Sequence, residues 1–281
     1  MEKKNTWETY SSKQLKELEK INAQYRDFLD NGKTERECID TIVNTIEKSG
    51  YRELESLIKE GAALKTGDKV YSVWMNKSIA MFQIGRKPMT DGMNILGAHI
   101  DSPRLDVKQN PLYEDGGFAY LDTHYYGGVK KYQWVTIPLE LHGVVALKNG
   151  EVVRVSVGNG PDDPMFTIDD LLPHLGVEQS KKALSEAIPA ESLNILVGSR
   201  PLADDEGSDR VKIAILELLN RKYGIVEEDF ISAELSAVPA FNACDIGFDR
   251  SLIGAYGHDD RVCGYAALRA LLDLDETPAR T

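Results

Sequence analysis

The residues of this chain best suited to chemistry fall in two short clusters. The first closes the stretch Asn-Ile-Leu-Gly-Ala-His-Ile-Asp at positions 94–101, a short apolar run that ends in His99 and Asp101. In a strand, residues two apart share a face, so this imidazole and this carboxylate project together. A carboxylate that accepts one imidazole N–H fixes the tautomer and makes the other ring nitrogen a better metal donor. The second cluster is Gly257-His258-Asp259-Asp260-Arg261, at the start of a predicted helix. Acids at a helix start also cap it or complement its dipole. That role is compatible with coordination, because a carboxylate has two oxygens and bridges metal ions about 3.5–4 Å apart. His258 competes for a ligand role. For His99 the duller alternative is a His–Asp hydrogen bond with no metal.

Two ligands do not make a site. Catalytic zinc normally takes three protein ligands and a water. The chain has no HExxH pattern, no paired Cys motif and no second His–carboxylate unit. A dinuclear site also wants a carboxylate base. The strongest unassigned acids, Asp204, Asp205 and Glu206, sit in a polar loop over 200–209 and read as solvated. Spacing alone therefore suggests a metal hydrolase with an unfinished site. A serine hydrolase is a further class, since Ser102 follows Asp101, but no G-x-S-x-G elbow surrounds it.

The elements that must position these groups follow from periodicity. Residues 12–30 read as a helix with Leu15, Leu18, Ile21, Tyr25 and Leu29 three or four apart. Thr34 and Glu37 form a capping box for a second helix, whose stripe is Cys38, Ile39, Ile42, Val43 and Ile46. Two strands, 70–75 and 78–84, flank a turn at Asn76-Lys77. The run 93–100 is nearly all apolar, which predicts a strand buried on both faces of an α/β sheet. From 104 to about 157 β signals dominate, with Asn149-Gly150 as a hairpin signal between 134–147 and 152–157. A short helical turn is predicted over 167–172, a helix over 211–223, and strands over 230–238 and 252–256. The last helix is 258–274, with Val262, Ala266, Leu268, Leu271 and Leu272 for its buried side. This is one α/β layer interrupted by a mostly β segment. So few parallel strands leave an open edge, so the chain reads as the N-terminal part of a longer protein.

Bulk properties bound the rest. A chain of 281 residues suits about two domains. A net charge of −12 argues against nucleic acid or an anionic membrane as partner. No apolar run approaches the ~20 residues needed to span a bilayer, and the charged first twenty residues are no signal peptide. Three scattered cysteines, Cys38, Cys244 and Cys263, suit reduced thiols in a cytoplasm.

Three segments, GAHIDSPRLD, LLPHLG and AYGHDDRVCGYAAL, resemble in order the M18 family of metalloaminopeptidases, the aspartyl-aminopeptidase-like group. The resemblance covers essentially all of the chain. It implies an α/β/α zinc-peptidase-type proteolytic domain, incomplete at its C-terminus, interrupted by a β-rich barrel-like dimerisation domain. The domain bounds on this basis are 1–103 and 240–281 for the proteolytic part and 104–239 for the insert. The resemblance also implies a metal-dependent aminopeptidase with two Zn2+ ions per site, cobalt or manganese being alternatives. His99 matches a metal ligand, and Asp101 the acid that steers it. Asp259 matches the aspartate that bridges both metals, followed by a cis peptide bond. His174 matches a histidine of the insert that reaches a neighbouring subunit's active site and helps stabilise the tetrahedral intermediate. Without the resemblance, His174 reads as a surface-loop histidine. The general-base Glu, an adjacent Glu ligand, a further carboxylate ligand and a last His are expected beyond Thr281. The implied partners are peptide substrates and copies of the chain, in a dimer-based assembly that extends to dodecamers in the family. The alternative is a non-catalytic oligomerisation or binding module, should the remaining ligands be absent.

Overall fold

Two capped amphipathic helices open the chain. Helix α1 (Ser12–Asp30) starts at a capping box in which Ser11 and Gln14 each accept the other's backbone N–H. Helix α2 (Glu35–Glu47) starts at the expected Thr34–Glu37 box. Each box satisfies two of the N–H groups that a helix start leaves orphaned. Cys38, Ile39, Ile42 and Ile46 of α2 bury against Tyr25, Phe28 and Leu29 of α1. Strand β1 (Arg52–Glu53) leads into helix α3 (Leu54–Lys59) and pairs in parallel with β2 (Lys69–Trp74). An antiparallel partner, β3 (Ser78–Gln83), completes this small sheet. The turn between β2 and β3 falls one residue earlier than expected, with Met75 and Asn76 in the left-handed region.

This computed structural model describes residues 4–203 and 207–281, so the acid cluster at 204–206 lies outside the described residues. It divides into two compact units, Met1–Ser102 with Asn242–Thr281, and Pro103–Phe241.

The second unit is built on one antiparallel sheet. Strands β4 (Arg104–Asp115) and β5 (Phe118–Tyr126) pair with a bulge between Val107 and Leu112. Strands β6 (Leu139–Ala146) and β7 (Val152–Val157) form a hairpin whose loop spans 147–151. Only Gly150 takes positive φ there, so the expected two-residue turn is replaced by a longer loop closed by Leu147 N–H to Glu151 O. After the short helix α4 (Leu184–Ala187) comes β8 (Ile195–Gly198). Helix α5 (Arg210–Tyr223) then leads to β9 (Ala233–Pro239). The sheet order is β7-β6-β9-β4-β5-β8. Alternate residues Leu105, Leu121, Leu139, Leu141, Leu235 and Ala237 bury one face, which is the period-two pattern of a half-buried strand. The start of α5 has no side-chain cap of its own; the Glu114 carboxylate accepts from Val211 N–H and Lys212 N–H instead.

The helical turn expected over 167–172 does not form. Phe166 and Thr167 make single bridges to Leu139 and Leu196, and Pro173 begins a turn. Pairing to the ends of β6 and β8 outweighs a weak local helix signal. These bridges curl the sheet, while no ladder joins β7 to β8 among the described residues.

The chain then returns to the first unit with the hairpin β10 (Cys244–Ile246) and β11 (Leu252–Gly254), followed by helix α6 (His258–Leu272). Its buried stripe is Arg261, Tyr265 and Leu268, with Leu271 and Leu272 packed against the core as expected, while Val262 and Ala266 are exposed, unlike the expectation. Asp259 and Asp260 have non-helical φ/ψ, which sets the phase of the regular turns that follow. Tyr265 and Leu268 join the α1–α2 core.

The segment 93–100 also departs from expectation. It has no strand pairing among the described residues, and Ile95 and Leu96 are 80% and 67% exposed. An apolar sequence becomes a buried strand only when neighbours supply backbone partners and a covering layer. Here its start is held by Asn94 N–H to Thr281 O, and its end by contacts to α6 described below. Among the described residues no helix is long and apolar enough to cross a membrane.

Candidate metal centre

The first unit brings His99, Asp101 and Asp259 together. His99 Nδ1 lies 3.1 Å from the Asp101 carbonyl oxygen and 3.1 Å from its Oδ1. Both partners are acceptors, so Nδ1 carries the hydrogen and donates. That leaves the Nε2 lone pair facing Asp259 Oδ1 at 3.7 Å and Asp260 Oδ2 at 3.9 Å. Partial desolvation, the largest single influence, depresses the imidazole pKa. The Asp101 hydrogen bonds and the Asp101 and Asp260 charges together outweigh it, so the pKa lies above its ordinary value.

These separations suit a shared cation. Metal–nitrogen and metal–oxygen bonds of about 2.0–2.2 Å meeting at a tetrahedral angle span about 3.4 Å. One borderline nitrogen and one hard oxygen are the donor types zinc accepts. Two carboxylates face Nε2 beyond hydrogen-bonding distance, and a cation held between them would offset their negative charge. The residues thus fit one corner of a metal site. Among the described residues, no set of three His, Cys, Asp or Glu side chains is placed to hold an ion unaided.

The two acids differ. The Asp259 side chain is 87% exposed and that of Asp260 only 26%, which leaves the Asp259 carboxylate the more open to solvent. The Cys263 thiol donates to Asp260, which raises the thiol pKa. The peptide bond between Asp259 and Asp260 is cis.

His258, the competing ligand, is committed elsewhere. Its Nε2 lies 3.1 Å from Ile253 O and its Nδ1 3.0 Å from Tyr25 Oη. The carbonyl can only accept, so Nε2–H donates to it and Nδ1 accepts from the tyrosine hydroxyl. Ser102 is no exposed nucleophile. It is 2% exposed, and its hydroxyl donates to Asp259 O at 2.7 Å. Arg261, 1% exposed, donates from Nε to Ile100 O at 3.1 Å and from Nη2 to Lys33 O at 3.0 Å. Its guanidinium stands over the Tyr256 ring. Gly257, at φ +89°, leaves room for it, since a Cβ there would sit 2.1 Å from Arg261 Nη1. Sequence reasoning missed these supports because their partners are far along the chain and their acceptors are backbone carbonyls.

His174 belongs to the second unit. It is exposed in a turn where Leu175 N–H and Gly176 N–H both bond to Leu172 O.

Similarity to known proteins agrees with this chemistry. The family described as aminopeptidase I zinc metalloprotease (M18) matches residues 28–281. A probable M18 family aminopeptidase 1 of Clostridium acetobutylicum is 53% identical over 273 residues, covering 97% of this chain and 59% of that protein. The crystal structure of the M18 aminopeptidase from Thermotoga maritima superposes with a TM-score of 0.91 at 44% identity, covering 99% of this chain and 59% of that one. Aminopeptidase I from Clostridium acetobutylicum gives a TM-score of 0.89 at 48% identity, covering 98% and 60%. The chain therefore spans about three-fifths of the length of these relatives. On the sequence match and the shared fold together, the chain belongs to the M18 family of zinc aminopeptidases.

Proposed function

We propose that this chain contributes the first part of a two-zinc site that removes N-terminal residues from peptides. One observation carries the proposal: His99 Nε2 faces Asp259 Oδ1 at 3.7 Å while Asp101 holds the other ring nitrogen. His99 and Asp259 would hold the metal, Asp259 in the role the resemblance gives the bridging aspartate, and Asp101 fixes the His99 tautomer. A bound metal pair would acidify a water and polarise the scissile carbonyl. Asp101 keeps the proton on Nδ1, so that Nε2 remains a donor. Ser102 and Arg261, both almost fully buried, join segment 99–102 to the start of α6 through hydrogen bonds to Asp259 O and Ile100 O. By the family resemblance, the substrate's free α-amine would be held at the same site, which would confine cleavage to the peptide's first residue. His174, presented by the second unit of a partner subunit, donates to the developing oxyanion. The remaining ligands and the general base are those the family resemblance implies, and none of them is among the side chains described around His99.

The same proposal assigns the second unit, with its curled sheet, to dimerisation as the barrel-like insert of the family. Larger assemblies of such dimers, up to a dodecamer, follow from the resemblance. Three free thiols support a cytoplasmic setting. The non-catalytic alternative is not favoured, because the similar proteins are aminopeptidases by name.

The test uses the full gene product. Zinc content, particle size and hydrolysis of free and N-acetylated peptides are measured together. The expected result is cleavage of free peptides only, lost on chelation and restored by zinc. An oligomer without zinc that cleaves neither peptide would contradict it.

A further inference from the structure

The two ligand-bearing segments of the first unit are tied by a reciprocal pair of side-chain hydrogen bonds. From one side, Ser102 Oγ donates to the Asp259 carbonyl at 2.7 Å. From the other, Arg261 Nε donates to the Ile100 carbonyl at 3.1 Å. Each donor lies within three residues of one proposed ligand and grips backbone beside the other. Both donors are almost fully buried, Ser102 at 2% and Arg261 at 1% exposure. A buried donor with its acceptor in place resists displacement, because breaking the bond leaves two groups without water.

The surroundings make the clamp stiff. Arg261 also donates to Lys33 O and lies over the Tyr256 ring. Its neighbour on the helix, Gly264, faces the same segment: a Cβ there would meet Ile100 Cγ2 at 3.0 Å and His99 O at 3.7 Å. Segment 93–100 has no ladder partners among the described residues, so these contacts fix its ligand-bearing end.

We propose that Ser102 and Arg261 are positioning residues that set the spacing between His99 and Asp259 and thereby the affinity and geometry of the bound metal. This rests on the metal-centre proposal above. Neither side chain touches the ion. Ser102 acts through the Asp259 backbone and Arg261 through the Ile100 backbone, each one residue or less from a ligand. Groups that orient ligands from outside the coordination sphere typically change metal affinity 10–100-fold when removed.

The test compares divalent-metal binding and thermal midpoint in the full gene product and its variants. Zinc affinity is measured by competition with a chromophoric chelator, and coordination geometry by the visible spectrum of the cobalt-loaded protein. Ser102→Ala should weaken zinc about tenfold or more and alter the cobalt spectrum, with a small change in melting temperature. Ser102→Thr, which keeps the hydroxyl, should restore both. Arg261→Lys keeps the charge but lacks the planar Nε donor, and should weaken zinc in the same direction. Unchanged affinity and spectrum in Ser102→Ala would overturn the positioning role. A fall in melting temperature with intact affinity would do the same, leaving Ser102 merely structural. The parallel variant His99→Ala separates the two proposals. If it too binds zinc like the parent, the metal centre itself is misplaced and the clamp falls with it.

Discussion

The two ring nitrogens of His99 have different partners, and that asymmetry gives the site its direction. Asp101 takes the Nδ1 hydrogen, and the lone pair left on Nε2 looks toward two carboxylates. In the α1–α2 core, Cys38 on α2 is governed by burial. Desolvation pushes its thiol up from 9.0 to about 11, against the pull of the Arg261 guanidinium. The thiol is 0% exposed and donates to Gly32 O at 3.3 Å. An acid whose folded pKa exceeds its unfolded value stabilises the fold fully below the unfolded pKa and loses that contribution as pH rises through the folded one. Stability should therefore fall between about pH 9 and 11, on the order of 2–3 kcal/mol from this group. Burial raises Tyr25 and Tyr51 to about 12, which continues the decline in the same direction. Denaturant unfolding at pH 8 and pH 10.5 checks it: the parent should lose stability and Cys38→Ala should lose less. A flat profile in the parent would contradict the buried-thiol account.

The closeness of His99 and Asp101 was legible in sequence because it needs only two residues two apart, although the segment forms no paired strand among the described residues. Asp259 was legible from its motif but not from spacing, since 160 residues separate it from His99. Ser102 and Arg261 carried no local signal. A serine after an acid and an arginine in a helix are ordinary surface residues until a distant carbonyl arrives.

At the scale of elements, local physics decided the helices. The capping box at Thr34 and apolar stripes of period 3.6 were readable in advance, whereas the Ser11–Gln14 box at the start of α1 was not among the expectations. Segment 93–100 was misread because its apolar content says nothing about which neighbours pair with it. On α6 the expected Leu268 is buried and Leu271 and Leu272 pack against the core, but Val262 and Ala266 are exposed, because Asp259 and Asp260 are not helical and Arg261 and Tyr265 fill the stripe in their place. Gly264 is where helix and segment meet most closely. Replacing it with Ala gains up to about 1 kcal/mol of helix propensity while its Cβ pushes on Ile100 at 3.0 Å. The melting temperature should therefore move little. Zinc affinity should fall severalfold as the His99 end of the segment shifts, measured by the same chelator competition. Undiminished affinity would show that this close approach does not govern the site.

The whole chain is acidic, with a net charge of −12, and it divides into two compact units. The change from helical to β texture near residue 104 and the return near 240 were visible as changes of periodicity alone. The curl of the six-stranded sheet was not, because it depends on single bridges from Phe166 and Thr167 to β6 and β8. Only the first unit contains the His99–Asp259 pair. The most direct measurement is anomalous diffraction at the zinc absorption edge, on crystals of the full gene product grown with zinc. A peak about 2.0–2.2 Å from both His99 Nε2 and an Asp259 oxygen is expected. Zinc bound elsewhere, or a peak that touches His99 while Asp259 points away, would contradict the shared-cation site.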